Sequence, residues 1–417
     1  MRVPINTGIE DVPGTWKIAR LGDCAEIVAG HSPKGDTYNT IGAGVPLLNG
    51  PAEFGAAAPT AVQWTTNPTR ITRRGDILFC VRGNTTGRLN IAEQEYCIGR
   101  GLAAIRQKEG RSTTEFVYYL LCLLRPNIYE VAVAGGSTFP NISKTILEDF
   151  EVPVPPLPEQ RRIAHVLGTV QQAIEQQERL IRSTTELKQA LMQKLFTEGL
   201  RGEAQKETEI GLVPESWVVV KLGSLSTVIS KGSSPNWQGF QYQASGVLFV
   251  RSQNVGDGRM LLEDRVYLSE EFNQKEKRSI LKQGDILINL VGASIGRVAL
   301  GTSEVEGANC NQAVGFVRLK GAQAMKEFMV NFLLSPAGQE QMRQQKKDIA
   351  RANLSLLDVR TFKVPMPSDA KELDEVARAF ATIEGKLAHH ATKHNALQDL
   401  FRTLLHELMT GKVRVGE

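Results

Sequence analysis

The chain lacks the motifs of several enzyme classes. No G-x-x-x-x-G-K-[ST] loop occurs in its 417 residues, so we expect no ATP site. The Asn/Asp-Pro-Pro-aromatic run with which adenine methyltransferases hold a flipped base is also missing. The nearest match, Asn67-Pro68-Thr69-Arg70, is typical of a turn. The six histidines have no triad-like context. These absences indicate a protein without catalytic activity of its own.

Cysteine is scarce, and no C-x-x-C pair is present, which argues against a zinc knuckle or a disulfide framework. No run approaches the length of a membrane span, and the N-terminus lacks a signal-peptide layout, so we expect a cytoplasmic protein with no membrane partner. The net charge of +4 neither requires nor excludes nucleic acid. All five cysteines are predicted to be reduced and buried: Cys24, Cys80, Cys97, Cys122 and Cys310.

The sequence repeats itself at half its length. Gly-Asp-Ile-Leu at 75–78 returns at 284–287, 209 positions later, and a Gly-x-x-x-Gly-Arg loop follows each copy. Asn-Ile-Ser at 141–143 returns as Asn-Leu-Ser at 353–355, 212 positions later. This period is far too long for a solenoid, so each unit is predicted to be a domain of its own.

Two long helices are predicted, one after each unit. In each, apolar residues recur at alternating steps of four and three, with polar residues in the middle, which is a heptad seam. Because such helices need a partner, we expect them to pair with each other, antiparallel. The apolar seam residues are Ile163, Leu167, Val170, Ile174, Ile181, Leu191 and Leu195 in the first helix and Val376, Phe380, Ile383, Leu387, Leu397, Phe401, Leu404 and Leu408 in the second.

These patterns predict an α+β (mixed α/β) fold with two homologous globular domains, separated by two long antiparallel coiled-coil helices in a pseudo-two-fold arrangement. The predicted boundaries are 1–155 for the first domain, 156–200 for the first helical spacer, 201–367 for the second domain and 368–413 for the C-terminal spacer. His390 and His394 lie one helical turn apart, and we interpret them as a polar layer that fixes register rather than as metal ligands.

In the order of these segments the chain resembles the specificity subunits of Type I restriction–modification systems. The second helix departs from the pattern, because it lacks the Pro-Leu-Pro-Glu-Gln opening, but Asp369 can cap it. The matching residues are Val-Pro-Gly-Thr-Trp at 12–16, Val-Pro-Glu-Ser-Trp at 213–217, the Gly-Asp-Ile-Leu runs with their loops, the proline-rich run at 153–164 and Ser-Thr-Thr-Glu-Leu at 183–187.

The resemblance implies a non-catalytic reader of double-stranded DNA. Each domain would be a target-recognition domain for one half of an asymmetric bipartite sequence, and the paired helices would set the spacing. The same helices would dock two methyltransferase subunits, and motor–nuclease subunits would join the complex. The resemblance implies no cofactor in this chain, with S-adenosylmethionine, and ATP with Mg²⁺, on the partner subunits.

The loops after the Gly-Asp-Ile-Leu strands are the first candidates for DNA contact, since glycine allows close approach while Arg and Asn read guanine and adenine edges. A second group follows other β-like segments. The candidates are Arg82, Asn84, Thr85, Arg88, Asn289, Ser294 and Arg297 in the first group and Lys34, Asn49, Lys231, Ser234, Arg251, Gln253 and Asn254 in the second.

Two other functions remain open on the sequence alone. A coiled-coil adaptor with duplicated protein-binding domains would explain the same architecture, because the basic residues are scattered. Salt-dependent binding to duplex DNA distinguishes it from a DNA reader. A fused single-chain methyltransferase or nuclease is disfavoured by the missing catalytic runs, and cofactor binding by the isolated chain would revive it.

Overall fold

The computed structural model describes residues 13–55, 58–134, 139–344 and 353–415. The chain divides into two compact units. Unit 1 comprises the described residues up to Glu178 together with those from Lys393 onward, and unit 2 comprises Arg179–Thr392. Each unit therefore holds one α+β domain and a segment of each long helix. Val12, the first residue of the domain-opening motif, lies outside the described residues.

The first strand of the first domain begins at Lys17, and a long helix follows the domain. Their elements are β1 (Lys17–Arg20), α1 (Leu21–Cys24), β2 (Ala25–Ala29), β3 (Tyr38–Asn39), β4 (Val45–Leu48), β5 (Gln63–Thr65), β6 (Ile77–Cys80), β7 (Leu89–Ile91), β8 (Cys97–Ile98), β9 (Leu102–Gln107), α2 (Thr114–Ala134), α3 (Lys144–Glu148), β10 (Glu151–Val154) and α4 (Leu157–Glu198).

Two four-stranded sheets and the two-stranded sheet β1–β10 form the first domain. One is antiparallel with the order β2-β9-β6-β7, and the other has the order β3-β5-β4-β8 with a parallel pair, β4–β8. The strand β6 is apolar throughout because both of its faces are covered. Ile77 and Phe79 enter one hydrophobic cluster, and Leu78 and Cys80 enter another, as the two-residue period of a strand requires.

The helix α2 corrects the expectation that no run approaches the length of a membrane span. Its 21 residues are apolar enough to do so by length and composition alone. Its side chains instead lie in the core of the first domain, where Val117, Leu120, Leu121 and Leu124 are completely buried. The apolar run is therefore explained by packing against β-strands and against Phe401, whose ring lies 6.1 Å from that of Tyr119.

The second domain repeats this plan with local additions. Its elements are β11 (Gln205–Thr208), β12 (Gly211–Pro214), β13 (Val218–Lys221), α5 (Leu222–Leu225), β14 (Ser226–Lys231), β15 (Val247–Val250), β16 (Tyr267–Leu268), α6 (Glu270–Lys275), β17 (Ile286–Asn289), β18 (Val298–Leu300), β19 (Asn309–Cys310), β20 (Val314–Leu319), α7 (Gln323–Leu334), α8 (Pro336–Gln344), α9 (Leu356–Thr361), β21 (Lys363–Met366) and α10 (Ala370–Met409).

The register of β6 with β7 and β9 is repeated by β17 with β18 and β20, whereas the β14–β20 pair has a bulge between Ser226 and Val228 that β2–β9 lacks. The antiparallel sheet of the second domain has the order β14-β20-β17-β18, the counterpart of β2-β9-β6-β7. Ile77 lies opposite Ile105 in the first, and Ile286 lies opposite Val317 in the second. A one-residue slip would turn the apolar residues of a strand to the wrong face, so the repeated register explains why the repeat is visible in the sequence.

The helices α4 and α10 pair antiparallel within each unit. In unit 1, Ile163 near the start of α4 shares a hydrophobic cluster with Leu408 near the end of α10, and His394 Nε2 lies 3.2 Å from Glu178 Oε1. In unit 2, Lys188 forms an ion pair with Glu384, and the Phe196 ring stacks on that of Phe380 with a centroid distance of 5.7 Å.

All fifteen apolar seam residues are buried or partly buried on these two helices. Those near the ends of the pair are the most buried, with Leu167, Val376 and Phe380 at 0% exposure. At the start of α10, the Asp369 carboxylate accepts a hydrogen bond of 2.9 Å from the backbone N–H of Lys371. The expected cap is thus present, and the second helix forms without the proline-rich opening of the first.

The burial of four cysteines gives a direct test of the packing. Burial, together with the Asp23 carboxylate, raises the pKa of Cys24 to about 11, so that at pH 8 only about one such thiol in a thousand is ionised. Burial also raises the pKa of Cys310. Cys122 is partly exposed as a residue, but burial of its thiol raises the pKa to about 12. We therefore expect no thiol of the native protein to react quickly with Ellman's reagent and all five to react in urea. One or more fast native thiols would contradict this packing.

Candidate nucleic-acid interface

Four loops of the first domain meet at one end of its sheets. Three of them follow β2, β4 and β6, and the fourth connects β8 to β9. The connecting turn, residues 99–101, lies in the centre, because Gly99 N–H donates to Leu48 O at 2.8 Å and Val81 N–H donates to Gly101 O at 2.9 Å. His31 N–H donates to Ile98 O at 2.9 Å.

The central turn approaches the loop after β2 too closely for most side chains. A Cβ atom at Gly30 would lie 2.2 Å from the carbonyl oxygen of Gly99, so only glycine fits there. The backbone N–H of Arg100 donates to Ser32 Oγ at 3.2 Å, which fixes the turn against the same loop. The result is a compact set of polar loops whose backbone groups are bonded to one another.

The second domain forms the same set of contacts. Its central turn comprises residues 311–313. The backbone N–H of Asn311 donates to Val250 O at 2.9 Å, and the backbone N–H of Leu290 donates to Ala313 O at 2.8 Å. Ser233 N–H donates to Cys310 O at 3.2 Å. Each bond matches one in the first domain, so Arg100 and Gln312 occupy equivalent positions.

Most candidates in the first domain lie on or beside these loops. Lys34, Asn49, Arg82 and Asn84 are exposed, and Thr85 is partly buried. Asn49 adjoins the central turn, because its Oδ1 atom lies 2.8 Å from the position of a Cβ at Gly99. Arg82 Nε donates to Asn141 Oδ1 at 3.3 Å, which links the loop after β6 to the repeated Asn-x-Ser segment.

Arg88 holds a neighbouring loop. Its two terminal nitrogens donate to the carbonyl oxygens of Pro51 and Phe54, each at 3.2 Å. The guanidinium carbon also lies 5.9 Å from the centre of the Phe54 ring. These contacts give Arg88 a structural role even though its side chain is exposed.

The candidates in the second domain also include both exposed side chains and side chains that are bonded within the domain. Lys231, Gln253 and Arg297 are exposed, and Ser234 and Ser294 are partly buried. Asp264 accepts hydrogen bonds of 2.8 Å from Arg251 Nη2 and 2.7 Å from Gln253 Nε2. Arg251 is therefore neutralised in place by a carboxylate, a weaker arrangement for binding phosphate than that of a free arginine.

Two candidate asparagines are corrected by the structure. Asn289 is completely buried, and its Nδ2 donates to Ser252 O at 2.8 Å. Asn254 is 3% exposed, and its Nδ2 donates to the carbonyl oxygens of Leu261 and Asp264. Both amides hold loops together from inside the domain, so neither side chain can reach a DNA base in this conformation.

Lys34 and Lys231 lie at the same end of their domains but are not equivalent. Lys231 is the last residue of β14 and precedes Gly232, whereas Lys34 lies four residues beyond Gly30. The backbone N–H of Gly30 donates to Leu102 O, and that of Gly232 donates to Val314 O, so the two glycines are equivalent. When the domains are aligned on these glycines, the two lysines lie five positions apart.

A buried ion pair explains the aspartate of each Gly-Asp-Ile-Leu run. Asp76 accepts from Arg106 Nη2 at 2.6 Å and from the backbone N–H of Arg73 at 2.8 Å. Burial raises the pKa of Asp76, and these two donors oppose that shift. Asp285 and Arg318 form the counterpart in the second domain. These pairs were not predicted from the sequence, although both arginines lie at the repeat distance of 212 positions.

A second repeated contact joins each domain to the start of a long helix. Trp16 Nε1 donates to Glu159 Oε2 at 3.1 Å, and Trp217 Nε1 donates to Glu372 Oε2 at 3.2 Å. Arg414, near the end of the chain, pairs with the same Glu159 carboxylate. The two glutamates are thus equivalent, even though the sequences around them differ.

No group of three or more His, Cys, Asp or Glu side chains able to hold a metal occurs among residues 13–55, 58–134, 139–344 and 353–415. His394 is paired with Glu178 of the same unit, as a polar contact between α4 and α10. Cationic and amide side chains lie at the converging ends of the described loops, together with carboxylates such as those of Glu53 and Asp264.

The fold and these loops define a class of protein: a duplicated pair of α+β domains, each joined to two antiparallel helix segments and presenting exposed polar loops at equivalent places. The chain belongs to the family described as Type I restriction modification DNA specificity domain, and that family's model matches it twice, over residues 13–182 and 214–399.

Known relatives agree with this assignment. The Type I restriction enzyme MjaVIII specificity subunit of Methanocaldococcus jannaschii is 25% identical over 408 residues, which are 97% of this chain and 94% of the relative. The EcoBI specificity subunit of Escherichia coli is 23% identical over 385 residues, 89% of this chain and 80% of the relative. The putative MjaX subunit of M. jannaschii is 36% identical, over 46% of this chain and 45% of the relative.

Two solved structures share the fold. One is the S subunit of a Type I restriction–modification system from M. genitalium, with a TM-score of 0.62 and 17% identity. The aligned part is 96% of this chain and 97% of that subunit. A chain from a structure on complex assembly and conformational transition of the type I R-M system gives a TM-score of 0.57 at 17% identity, with 97% and 100% coverage. The expected α+β fold with two domains is confirmed.

Proposed function

We propose that this chain is the DNA specificity subunit of a Type I restriction–modification complex, in which each recognition domain reads one half of an asymmetric bipartite target. One observation carries the proposal. The two family domains share register, ion pairs and loop contacts, yet present different exposed side chains at equivalent positions, such as Arg100 and Gln312. Two copies of one scaffold with different readers suit a target with two different halves.

The division of labour along the chain follows from this proposal. Residues 1–155 and 201–367 are the recognition domains, and the helical spacers 156–200 and 368–413 set the distance between the half-sites. The exposed side chains Lys34, Asn49, Arg82, Asn84 and Lys231, with Gln253 and Arg297, supply contacts to bases or phosphates. Arg88 and Arg251 support the loops that carry them, and the partly buried Thr85, Ser234 and Ser294 remain candidate DNA contacts.

Such a subunit is a non-catalytic component, and the chemistry belongs to its partners. We infer two methyltransferase subunits docked on the helices, with S-adenosylmethionine as their cofactor, and motor–nuclease subunits that use ATP with Mg²⁺. The complex works in the cytoplasm on double-stranded DNA. The family assignment supports DNA binding and assembly with other subunits.

Methylation mapping tests the proposal. DNA from cells that express this chain with its cognate methyltransferase subunit should carry N6-methyladenine in one interrupted, asymmetric motif. Deletion of either recognition domain should abolish that motif. Expression of both subunits without any motif-specific methylation would overturn the proposal and favour the protein-binding adaptor.

The spacing role of the helices gives a sharper prediction. Seven residues inserted within 183–187 of α4, matched by seven inserted after Lys386 of α10, add one heptad to each helix and keep the seam in phase. At 1.5 Å per residue the pair lengthens by about 10 Å, or about three base pairs. Sequencing of the methylated sites should show half-sites about three base pairs further apart. Ser183→Ala, at an exposed position of the same segment, should leave the spacing unchanged. Unchanged spacing in the insertion variant would refute the spacer role.

A further inference from the structure

We propose that Arg100 and Gln312 are specificity-determining residues, Arg100 for a guanine in one half-site and Gln312 for an adenine in the other. The inference rests on the proposed DNA-reading function and goes beyond it by naming the two readers and the base class that each selects. Neither residue belongs to a repeated motif, because each lies between the Gly-x-x-x-Gly-Arg loop and the Asn-x-Ser segment of its domain.

Position is the first reason. Each residue is the middle of a three-residue turn around which three other loops gather, after β2, β4 and β6 in the first domain and after β14, β15 and β17 in the second. Four equivalent backbone hydrogen bonds hold each turn in place. A side chain at the centre of a rigid set of loops is presented at one fixed place, which base readout requires.

Availability is the second reason. Both side chains are exposed, and within the described part of the chain neither the Arg100 guanidinium nor the Gln312 amide makes a hydrogen bond or an ion pair. Other polar side chains of the same ends are engaged, including Arg251 with Asp264 and Asn289 with Ser252. The two central residues therefore keep their full hydrogen-bonding capacity for a ligand.

Chemistry is the third reason. A guanidinium donates two parallel hydrogen bonds to the O6 and N7 atoms of guanine, and a glutamine amide donates to N7 and accepts from the N6 amino group of adenine. The same frame thus carries a guanine reader in one domain and an adenine reader in the other. A difference of this kind at one equivalent position gives the two halves different sequences without any change of fold.

The chain contains a matched control for each residue. Arg74 and Gln283 are again an arginine and a glutamine at equivalent positions, 209 residues apart, and both are exposed. They precede β6 and β17, at the opposite end of the strands whose C-terminal ends lead to the reading loops. Arg74→Ala and Gln283→Ala remove the same groups from the same sheets without touching the loops.

The experiment measures methylation of a randomised DNA library by the purified complex of this full chain with its methyltransferase subunit. We expect Arg100→Ala to relax discrimination at one G·C position of one half-site by about 5- to 150-fold, and Gln312→Ala to do so at one A·T position of the other. The second half-site should be unchanged in each case. Arg74→Ala and Gln283→Ala should keep the preference of the unmodified chain.

The outcomes separate the two proposals. No motif with the unmodified chain would refute the proposed function itself. A normal motif with unchanged base preference in both alanine variants would overturn the present inference alone. A uniform loss of rate at every sequence, in variants whose thermal unfolding is unchanged, would make these residues phosphate contacts and would also overturn it. The exchanges Arg100→Gln and Gln312→Arg, which keep a long polar side chain, should shift rather than abolish preference at the same two positions.

Discussion

Asp285→Ala is expected to destabilise the second domain by about 3 kcal/mol or more, because it leaves a largely buried guanidinium without its counter-ion. Arg318 donates to both oxygens of Asp285, at 2.8 and 2.7 Å. The carboxylate also accepts from the backbone N–H of Lys282 at 2.8 Å, so the same change frees the turn before β17. The side chains of Asp285 and Arg318 are 1% and 25% exposed.

Hydrogen exchange of peptides from β17 and β20 would measure this loss in the second domain alone. Glu340→Ala is the control, since its pair with Arg343 is 50% and 62% exposed and should contribute less than about 1 kcal/mol. The double variant Asp285→Ala with Arg318→Met should recover part of the loss, because it removes the unpaired charge. Equal exchange in the aspartate variant and the unmodified chain would show that the ion pair does not stabilise the sheet.

Phe196→Ala is expected to lower the free energy of unfolding of unit 2 by about 3–5 kcal/mol, because the ring lies at the centre of an aromatic cluster and is 4% exposed. It stacks on Phe380 of α10 and meets Phe328 and Phe332 of α7 edge to face, each at a centroid distance of 5.3 Å. Trp217 lies 6.5 Å away. Removal of the ring therefore opens a cavity where α4, α10 and α7 meet.

Urea unfolding followed by tryptophan fluorescence would report this loss, since Trp217 is completely buried beside the ring. Phe196→Leu keeps most of the volume and should cost less than about 1.5 kcal/mol. Leu187→Ala, on the same helix at 57% exposure, should change stability little. If Phe196→Ala unfolded at the same urea concentration as Leu187→Ala, the cluster would not hold the helices to the domain.

Much of the fold could be predicted from the sequence because a duplication reveals its own constraints. Apolar residues at steps of four and three predicted two long helices, since a stripe of that period has to be buried. The repeated Gly-Asp-Ile-Leu runs predicted equivalent strands, and β6 and β17 are their apolar cores. Burial of α2 was not predictable from its composition, because an apolar helix of that length suits a core or a bilayer equally well.

The candidate interface was predicted only in part. The loops after β6 and β17 do lie at the converging ends, but the last residue of β17 turns its side chain inward. Asn289 therefore bonds to Ser252, a residue 37 positions away in the sequence. Arg100 was not among the candidates, because it lies between two glycines and outside the repeated motifs, and only the loop contacts place it at the centre of the converging ends. Contacts of this kind join distant segments and leave no local periodicity.

The sequence by itself determined the duplication, the two helices with their antiparallel seam and the lack of catalytic motifs, because each depends on local pattern or on comparison of one half with the other. Only the tertiary structure decided which polar side chains are held inside and which remain free. That choice depends on backbone hydrogen bonds between loops distant in the chain, such as Val81 to Gly101 and Leu290 to Ala313. Those bonds set Arg100 and Gln312 at equivalent centres, and the bonds of Asn254 and Asn289 hold both amides inside the second domain.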